Sequence, residues 1–184
     1  MSGRLVYVVG PSGAGKDSVL ARLRSALRPE DRVVIAHRYI TRLPRDNSEN
    51  HIALSEAEFL LRAQAGCFAL HWQGHGLHYG VGVEIELWLA QGLTVLVNGS
   101  RAYLPEARRR FPQLRAVCIT AAPETIAARL AGRGRETHDE IVERLRRNAG
   151  LADAPVDKLI ANDGALGDAV SELSDWLSRS SAHC

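Results

Sequence analysis

The chain has 184 residues, 46% hydrophobic and 24% charged, with a formal net charge of +2. That is enough apolar material for one compact domain with a sizeable core, and it excludes a mainly disordered chain. No apolar stretch approaches the roughly 18 residues that span a bilayer, and Met1 to Gly10 is too short for a secretory signal, so a cytosolic protein with no membrane partner is expected. Near-balanced charge also argues against non-specific nucleic-acid binding, which needs a broad cationic surface. All basic residues except Lys16 and Lys158 are arginine, whose planar fork suits bidentate contact with phosphate oxygens. Cys67, Cys118 and Cys184 are too far apart for a disulfide framework or a zinc spacing and are taken as ordinary thiols.

In chain order, Arg4 to Val9 is an apolar run closed by glycine, the pattern of a buried parallel strand. Val19, Leu20, Leu23 and Leu27 recur at helical spacing until Pro29. Val33 to Ile40 is a second strand, and Thr41 to Asn50 is polar and turn-rich. Ser55, with Glu58 three residues on, forms a capping box that opens a helix through about Gln64. Cys67 to Trp72 is a short strand, Gly74 to Gly82 a glycine and histidine loop, Val83 to Gln91 a helix and Leu93 to Val97 a strand. Leu104 to Phe111 is a helix and Arg115 to Thr120 a strand. Pro123 opens a helix that reaches about Ala131, at the position where a missing N–H costs least. Gly132 to Arg135 breaks it, and His138 to Asn148 is a charged amphipathic helix. Lys158 to Ala161 and Gly167 to Ser178 close the chain as strand and helix. Strands alternating with helices predict an α/β fold with a parallel sheet covered on both faces.

Between the first strand and the first helix stands GPSGAGK, Gly10, Pro11, Ser12, Gly13, Ala14, Gly15 and Lys16. Glycines let backbone N–H groups turn toward a polyphosphate, the helix N-terminus adds a favourable dipole, and the lysine reaches the outer phosphates. By residue usage alone the spacing would arise in roughly one in twenty chains of this length, and the flanking strand and helix make chance a much weaker explanation. The residue after Lys16, where a hydroxyl normally meets Mg²⁺, is Asp17, and the hydroxyl comes one place later at Ser18. Asp17 and Ser18 are therefore the candidate metal ligands, with Asp17 as a dipole-favoured acid at a helix start the alternative.

With this loop, YITRLPR (39–45), HYG (78–80), GRGR (132–135), the ERLRRN that follows and AND (161–163) in the same order, the sequence resembles the guanylate-kinase-like family of nucleotide and sugar-phosphate kinases over nearly its whole length. The resemblance implies a P-loop NTPase three-layer sandwich with a parallel sheet, a small acceptor-binding subdomain and a short arginine-bearing lid. The core would comprise about 1–35, 92–131 and 150–184, the acceptor region about 36–91 and the lid about 132–149. It further implies ATP and Mg²⁺. Arg42 and Arg45 would grip the acceptor's phosphate, and Lys16, Arg133, Arg135 and Arg144 would act on the transferred phosphoryl group. Arg129 and Asn162 would contact the nucleotide, although Asn162-Asp163-Gly164 also suits an ordinary turn.

The departures bear on substrate. Where guanylate kinases hydrogen-bond the guanine edge through a Glu and a Ser, and the phosphate through a Tyr, this chain has Leu70, Val81 and His51. A site built on base-edge bonds loses discrimination when those groups become aliphatic, so GMP is disfavoured; neutral drift in a GMP enzyme with other contacts is the alternative. The strand at 93–97 ends in Asn98-Gly99-Ser100-Arg101 instead of an acid. Asn98 offers a neutral ligand oxygen and Arg101 a cation facing the phosphates, or the segment is a polar strand-to-helix turn. GPSGAGKDS, ENHIALSEAEF and VLVNGSR resemble the family branch that acts on a sugar bisphosphate. The resemblance implies transfer from ATP to the 1-phosphate of ribose 1,5-bisphosphate. His51 and Tyr79 would then meet sugar hydroxyls or the second phosphate. The group His51, His71, His75 and His78 suits such contacts or a loop surface better than zinc, and Trp72 and Trp88 suit the core. The competing functions are GMP phosphorylation and a non-catalytic binding module, the latter disfavoured by the intact Gly10, Gly13, Gly15 and Lys16.

Overall fold

In the computed structural model, which describes residues 3–42, 51–132, 142 and 155–179, the apolar runs become strands of two sheets. The first contains β1 (Arg4–Val9), β2 (Val33–Ile35), β7 (Thr94–Asn98), β8 (Arg115–Thr120) and β9 (Lys158–Ala161), in the order β2-β7-β1-β8-β9. Every neighbouring pair in it is parallel. The second contains β3 (Arg38–Ile40), β4 (His51–Ala53), β5 (Phe68–Gly74) and β6 (Leu77–Gly82), in the order β4-β3-β6-β5. There β3 and β4 are parallel and the other pairings antiparallel. The described helices are α1 (Lys16–Ala26), α2 (Glu56–Gln64), α3 (Glu84–Ala90), α4 (Leu104–Arg110), α5 (Pro123–Gly132) and α6 (Leu166–Arg179). No helix among the described residues is long and apolar enough to cross a membrane.

Alternation along β1 explains the layers. Val6 and Val8 point to one side, where Val19, Leu20 and Leu23 of α1 and Ala169, Leu173 and Leu177 of α6 cover the sheet. Leu5, Tyr7 and Val9 point to the other, against Ile85 of α3, Leu104 and Ala107 of α4, and Ala69, Leu70 and Val81 of the second sheet. The expected three-layer α/β sandwich is thus present, with the small sheet docked on the α3–α4 side.

Two expectations need correction. The run 33–40 is two strands in different sheets, because its halves suit different surroundings. Val33–Ile35 pairs with the buried β7, and Ala36 N–H continues that ladder to the Leu96 carbonyl at 2.9 Å. Residues 37–40, which begin with His and Arg and are mostly half-buried, suit the smaller sheet instead. The segment 74–82 is not a loop but the turn and second strand of a hairpin. His75 (φ 53°) and Gly76 (φ 72°) both take left-handed backbone, as a two-residue turn of the primed type requires. Histidine tolerates that region better than most side chains but is a weak turn signal, which hid the hairpin. The Ser55 cap is present, its Oγ accepting from Glu58 N–H at 3.2 Å, and Pro123 is the first residue of α5. The expected helix over 138–148 lies outside the described residues except for Val142.

Tyr7 ties the sheet to the segment that follows β7. Its hydroxyl accepts from Ser100 N–H at 3.0 Å, and burial holds its pKa well above the usual phenol range. The ring lies where a Cβ on Gly99 would stand. Gly99→Ala must therefore displace the ring or the turn. We expect a loss of about 1–3 kcal/mol, read in a thermal melt as a Tm lower by roughly 2–10 °C; an unchanged Tm would contradict this packing.

Candidate functional site

The β1–α1 connection is shaped by what lies beneath it. Gly10 has φ 149°, and a Cβ there would run into the Ile119 carbonyl of β8. Gly15, the left-handed residue at the start of α1 (φ 87°), would bring a Cβ to 2.5 Å from Asn162 Nδ2. Asn162, only 2% exposed, donates from that Nδ2 to the Ala14 carbonyl at 2.8 Å, and Arg129 Nη1 reaches the same oxygen at 3.4 Å. Arg129 and Asn162 thus hold the loop from below. Asp163 accepts from Ala122 N–H at 2.6 Å, just before α5. Ala14 N–H bonds the Pro11 carbonyl at 3.2 Å, so the loop closes on itself as a compact turn.

Lys16 crosses this turn. Its Nζ donates to the carbonyls of Gly10 (2.8 Å) and Pro11 (3.0 Å). Burial pushes its pKa down to about 8; the Asp17 carboxylate opposes this, and the Arg38 and Arg101 guanidinium groups add to it. Asn98, at the end of β7 and 6% exposed, donates from Nδ2 to Asp17 Oδ1 at 2.6 Å. Its own Oδ1 is buried with no hydrogen-bond partner. Ser18 is exposed. Arg101 lies in the turn after β7, partly buried, and burial lowers its pKa.

The second sheet supplies the facing wall. Register sets Arg38 beside His51 and Ile40 beside Tyr79, so Arg38, His51 and Tyr79 share one face. The Arg38 guanidinium carbon lies 5.2 Å from the centre of the Tyr79 ring. That ring stacks on Trp72 at 5.6 Å and 6°, and Trp72 stacks on Tyr103 at 5.4 Å. Leu70 and Val81 pair on the same face and are 1% and 0% exposed, packed in the core with Tyr7, Val97 and Leu104. Trp72 and Trp88 pack partly buried against this core. Arg42 follows β3, where Thr41 exchanges bonds with His78, donating N–H to its carbonyl (3.1 Å) and accepting its N–H at Oγ1 (2.9 Å).

Of the residues singled out from sequence, the structure brings together the 10–16 loop, Asp17, Asn98, Arg129 and Asn162 around one strand edge, with Arg101 in the next turn. The four histidines are spread: His51 on β4, His71 on β5, His75 in the hairpin turn and His78 beside Glu56 (3.4 Å). Arg45, Arg133, Arg135 and Arg144 lie outside the described residues. Arg38, inside the run 33–40 expected as one strand, was not singled out; its place on this face follows from its register with His51.

A parallel sheet with a glycine-turned loop and half-buried lysine at the carboxyl end of β1 is the site of a P-loop phosphotransferase. A family model described as guanylate kinase matches residues 2–180, and the chain belongs to that family. Its relatives include the ribose 1,5-bisphosphate phosphokinase PhnN of Laribacter hongkongensis, 54% identical over 183 residues; the match covers 100% of this chain but 44% of that longer protein. The protein of the same name from Thiobacillus denitrificans is 51% identical over 182 residues, 98% of this chain and 95% of its own length. The crystal structure of guanylate kinase from Anaplasma phagocytophilum is similar in fold, with a TM-score of 0.73 at 16% identity over 97% of this chain and 86% of that one.

The depressed Lys16 pKa gives a signed expectation. Phosphate beside the ammonium favours its charged form, so nucleotide binding raises the pKa from about 8 and draws in a proton. At about pH 8.5, calorimetry of ATP binding in buffers of different ionisation heat should report uptake of roughly half a proton or more per site. Lys16→Arg should abolish the uptake, and uptake that persists in that variant would assign the proton elsewhere.

Proposed function

We propose that this chain transfers the γ-phosphoryl group of ATP to the 1-phosphate of ribose 1,5-bisphosphate, forming 5-phospho-α-D-ribose 1-diphosphate. The observation that carries this reading is the burial of Leu70 and Val81. Where base-reading groups would stand, there are two core side chains with no polar atom and almost no accessible surface. A purine edge would lose its water bonds and find no replacement. The cations around Lys16 suit an acceptor recognised by its phosphates instead. Relatives at 51% and 54% identity carry the name of this activity, which supports the same reading. The expected setting is the cytoplasm.

The donor's phosphates lie on main-chain N–H groups of Ser12 to Lys16, and the Lys16 ammonium exchanges its loop carbonyls for phosphate oxygens. Arg129 and Asn162 keep the loop in shape. Arg42 and Arg45 hold the acceptor phosphate, with His51 and Tyr79 beside the sugar. An oxygen of that phosphate, mostly dianionic at neutral pH, attacks the γ-phosphorus while the bond to the β–γ bridging oxygen breaks, and ADP leaves with the electron pair. No general base is required, because the attacking oxygen already carries charge. Lys16, Arg101, Arg133, Arg135 and Arg144 stabilise the charge that spreads over the transferring group. An orphaned buried amide oxygen beside a carboxylate suits Mg²⁺, a hard cation that takes oxygen ligands, so Asp17 and Asn98 would hold it directly or through its waters, with Ser18 adjacent. Bound there, the metal supplies charge neutralisation on the donor phosphates.

A coupled ADP-release assay with ribose 1,5-bisphosphate, GMP, AMP and ribose 5-phosphate tests the substrate. Turnover should favour the bisphosphate by at least about 100-fold in kcat/KM. A preference for GMP would overturn the reading, and ATP binding without turnover on any acceptor would favour a binding module. For the metal pair, Asp17→Asn should raise the Mg²⁺ concentration giving half-maximal rate by roughly 10- to 100-fold. An unshifted Mg²⁺ curve would remove Asp17 from the metal site.

A further inference from the structure

Three aromatic rings join the two sheets beside the aliphatic seam. Tyr79 of β6 stacks on Trp72 of β5 at 5.6 Å and 6°, and Trp72 stacks on Tyr103 at 5.4 Å and 28°. The first two rings belong to the small sheet, but Tyr103 comes from the connection between β7 and α4 in the core. The main chain of His71 in β5 also hydrogen-bonds the Tyr103 hydroxyl, so this side chain meets the small sheet through both its ring and its oxygen. Stacked rings resist tilting, and the bond to the hydroxyl limits sliding.

What Tyr103 holds in turn is the segment 98–103. Asn98 donates to Asp17 at 2.6 Å, Gly99 N–H to the Val8 carbonyl at 2.8 Å, and Ser100 N–H to the Tyr7 hydroxyl at 3.0 Å. The turn then closes through Tyr103 N–H to the Ser100 carbonyl and Leu104 N–H to the Arg101 carbonyl, both at 3.2 Å. Arg101 therefore stands between two anchors, the Tyr7–Ser100 bond on the core side and Tyr103 on the side of the small sheet. Its guanidinium interacts electrostatically with Lys16 and with the Cys118 thiol of β8, a residue that pairs with Val9 at the end of β1. The side chain thus returns from the turn to the edge where the glycine loop begins. A shift of Tyr103 moves the backbone of Arg101 with it, because so short a turn has no slack to absorb the change.

We propose that Tyr103 is a positioning residue: clasped by Trp72 and the His71 main chain, it sets where Arg101 stands beside the transferring phosphoryl group. This rests on the role given to Arg101 in the proposed mechanism. Through the stack, the same contact ties the wall that carries Tyr79 to the wall that carries Lys16. The guanidinium is then aligned from the acceptor side, where a misplacement of about 1 Å can cost on the order of 100-fold in rate.

The test is a double-mutant cycle on kcat over Tyr103→Leu, Arg101→Ala and the pair, run with ATP and whichever acceptor the ADP-release assay selects. Tyr103→Leu should lower kcat by about 10- to 100-fold while KM for ATP stays within about threefold. In Arg101→Ala, which is itself slow, adding Tyr103→Leu should cost less than about twofold more, because the ring then has nothing left to position. Tyr103→Phe, which keeps the stack and loses the tie to His71, should fall between wild type and Tyr103→Leu. Trp72→Leu approaches the same contact from the other sheet and must show the same dependence on Arg101, which decides the matter if a melt shows Tyr103→Leu unfolded. Losses that multiply in the pair, an unchanged kcat in the single variants, or a change confined to the acceptor's KM would each overturn the proposal, the last by showing that the stack serves Tyr79 alone. An Arg101→Ala enzyme as fast as wild type would overturn the role of Arg101 and this proposal with it, a signature distinct from multiplied losses.

Discussion

A partly buried ammonium held by its own main chain governs this site. Lys16 gives its hydrogens to the Gly10 and Pro11 carbonyls, two neutral acceptors, while Arg38 and Arg101 oppose its charge and Asp17 is the main group that favours it. Taking a cation out of water without a full counter-charge is costly, and the lowered pKa is the measure of that cost. Even so, a group titrating near 8 is largely protonated at neutral pH. The surrounding structure tolerates the arrangement because it is over-determined. The loop cannot relax downward, since Ile119, Asn162 and Arg129 fill the space beneath it. A polyanion placed on the loop would turn that electrostatic penalty into attraction with little movement of backbone.

The same constraint accounts for the exchange of acid and amide at the edge of the loop. A hard divalent cation needs carboxylate oxygen, but the carboxylate may come from either wall. In the proposed site it would come from α1, at Asp17, to which Asn98 of β7 donates at 2.6 Å. A second acid at position 98 would face the first across a hydrogen-bond distance, and two carboxylates so placed cannot both ionise without penalty. A neutral amide at the end of β7 is therefore compatible with the acid at the start of α1, where a second acid would not be. The amide also leaves Oδ1 directed away from that bond, buried and still able to accept.

The core sheet and the loop were legible because their signals are local. Continuous apolar runs closed by glycine, helical periodicity up to Pro29 and a proline at the head of α5 each reflect forces acting within a few residues. The small sheet was harder because its strands are short and their partners distant. β3 and β4 have three residues each, and only Ala36 and His37 separate β3 from β2, so the change of sheet leaves no turn in the run. The His75-Gly76 turn gave a loop-like composition to a tight hairpin. Arg38 was not singled out for the same reason: inside a supposed continuous strand it was one more polar residue after His37, and only register sets it on the face of His51 and Tyr79. The Asp17 departure was visible in sequence, but its pairing with Asn98 joins residues 81 positions apart and had to be seen in three dimensions.

Packing and selectivity meet at Leu70 and Val81. These side chains join the small sheet to the core sheet, inserted among Tyr7, Val97 and Leu104. Polar groups at the same two positions could read a base only if they stayed hydrogen-bonded, and without a ligand each would be a buried group lacking a partner. Replacing them with aliphatics strengthens the seam between the sheets and removes base readout in one step. Recognition must then rest on interactions that do not require an aromatic edge. Guanidinium groups meet this need, because charge acts across the space left by a missing base and a fork fixes the orientation of whatever phosphate it meets. The aromatic stack behind Arg38 fixes the plane of its guanidinium, so this wall of the site takes its rigidity from ring packing.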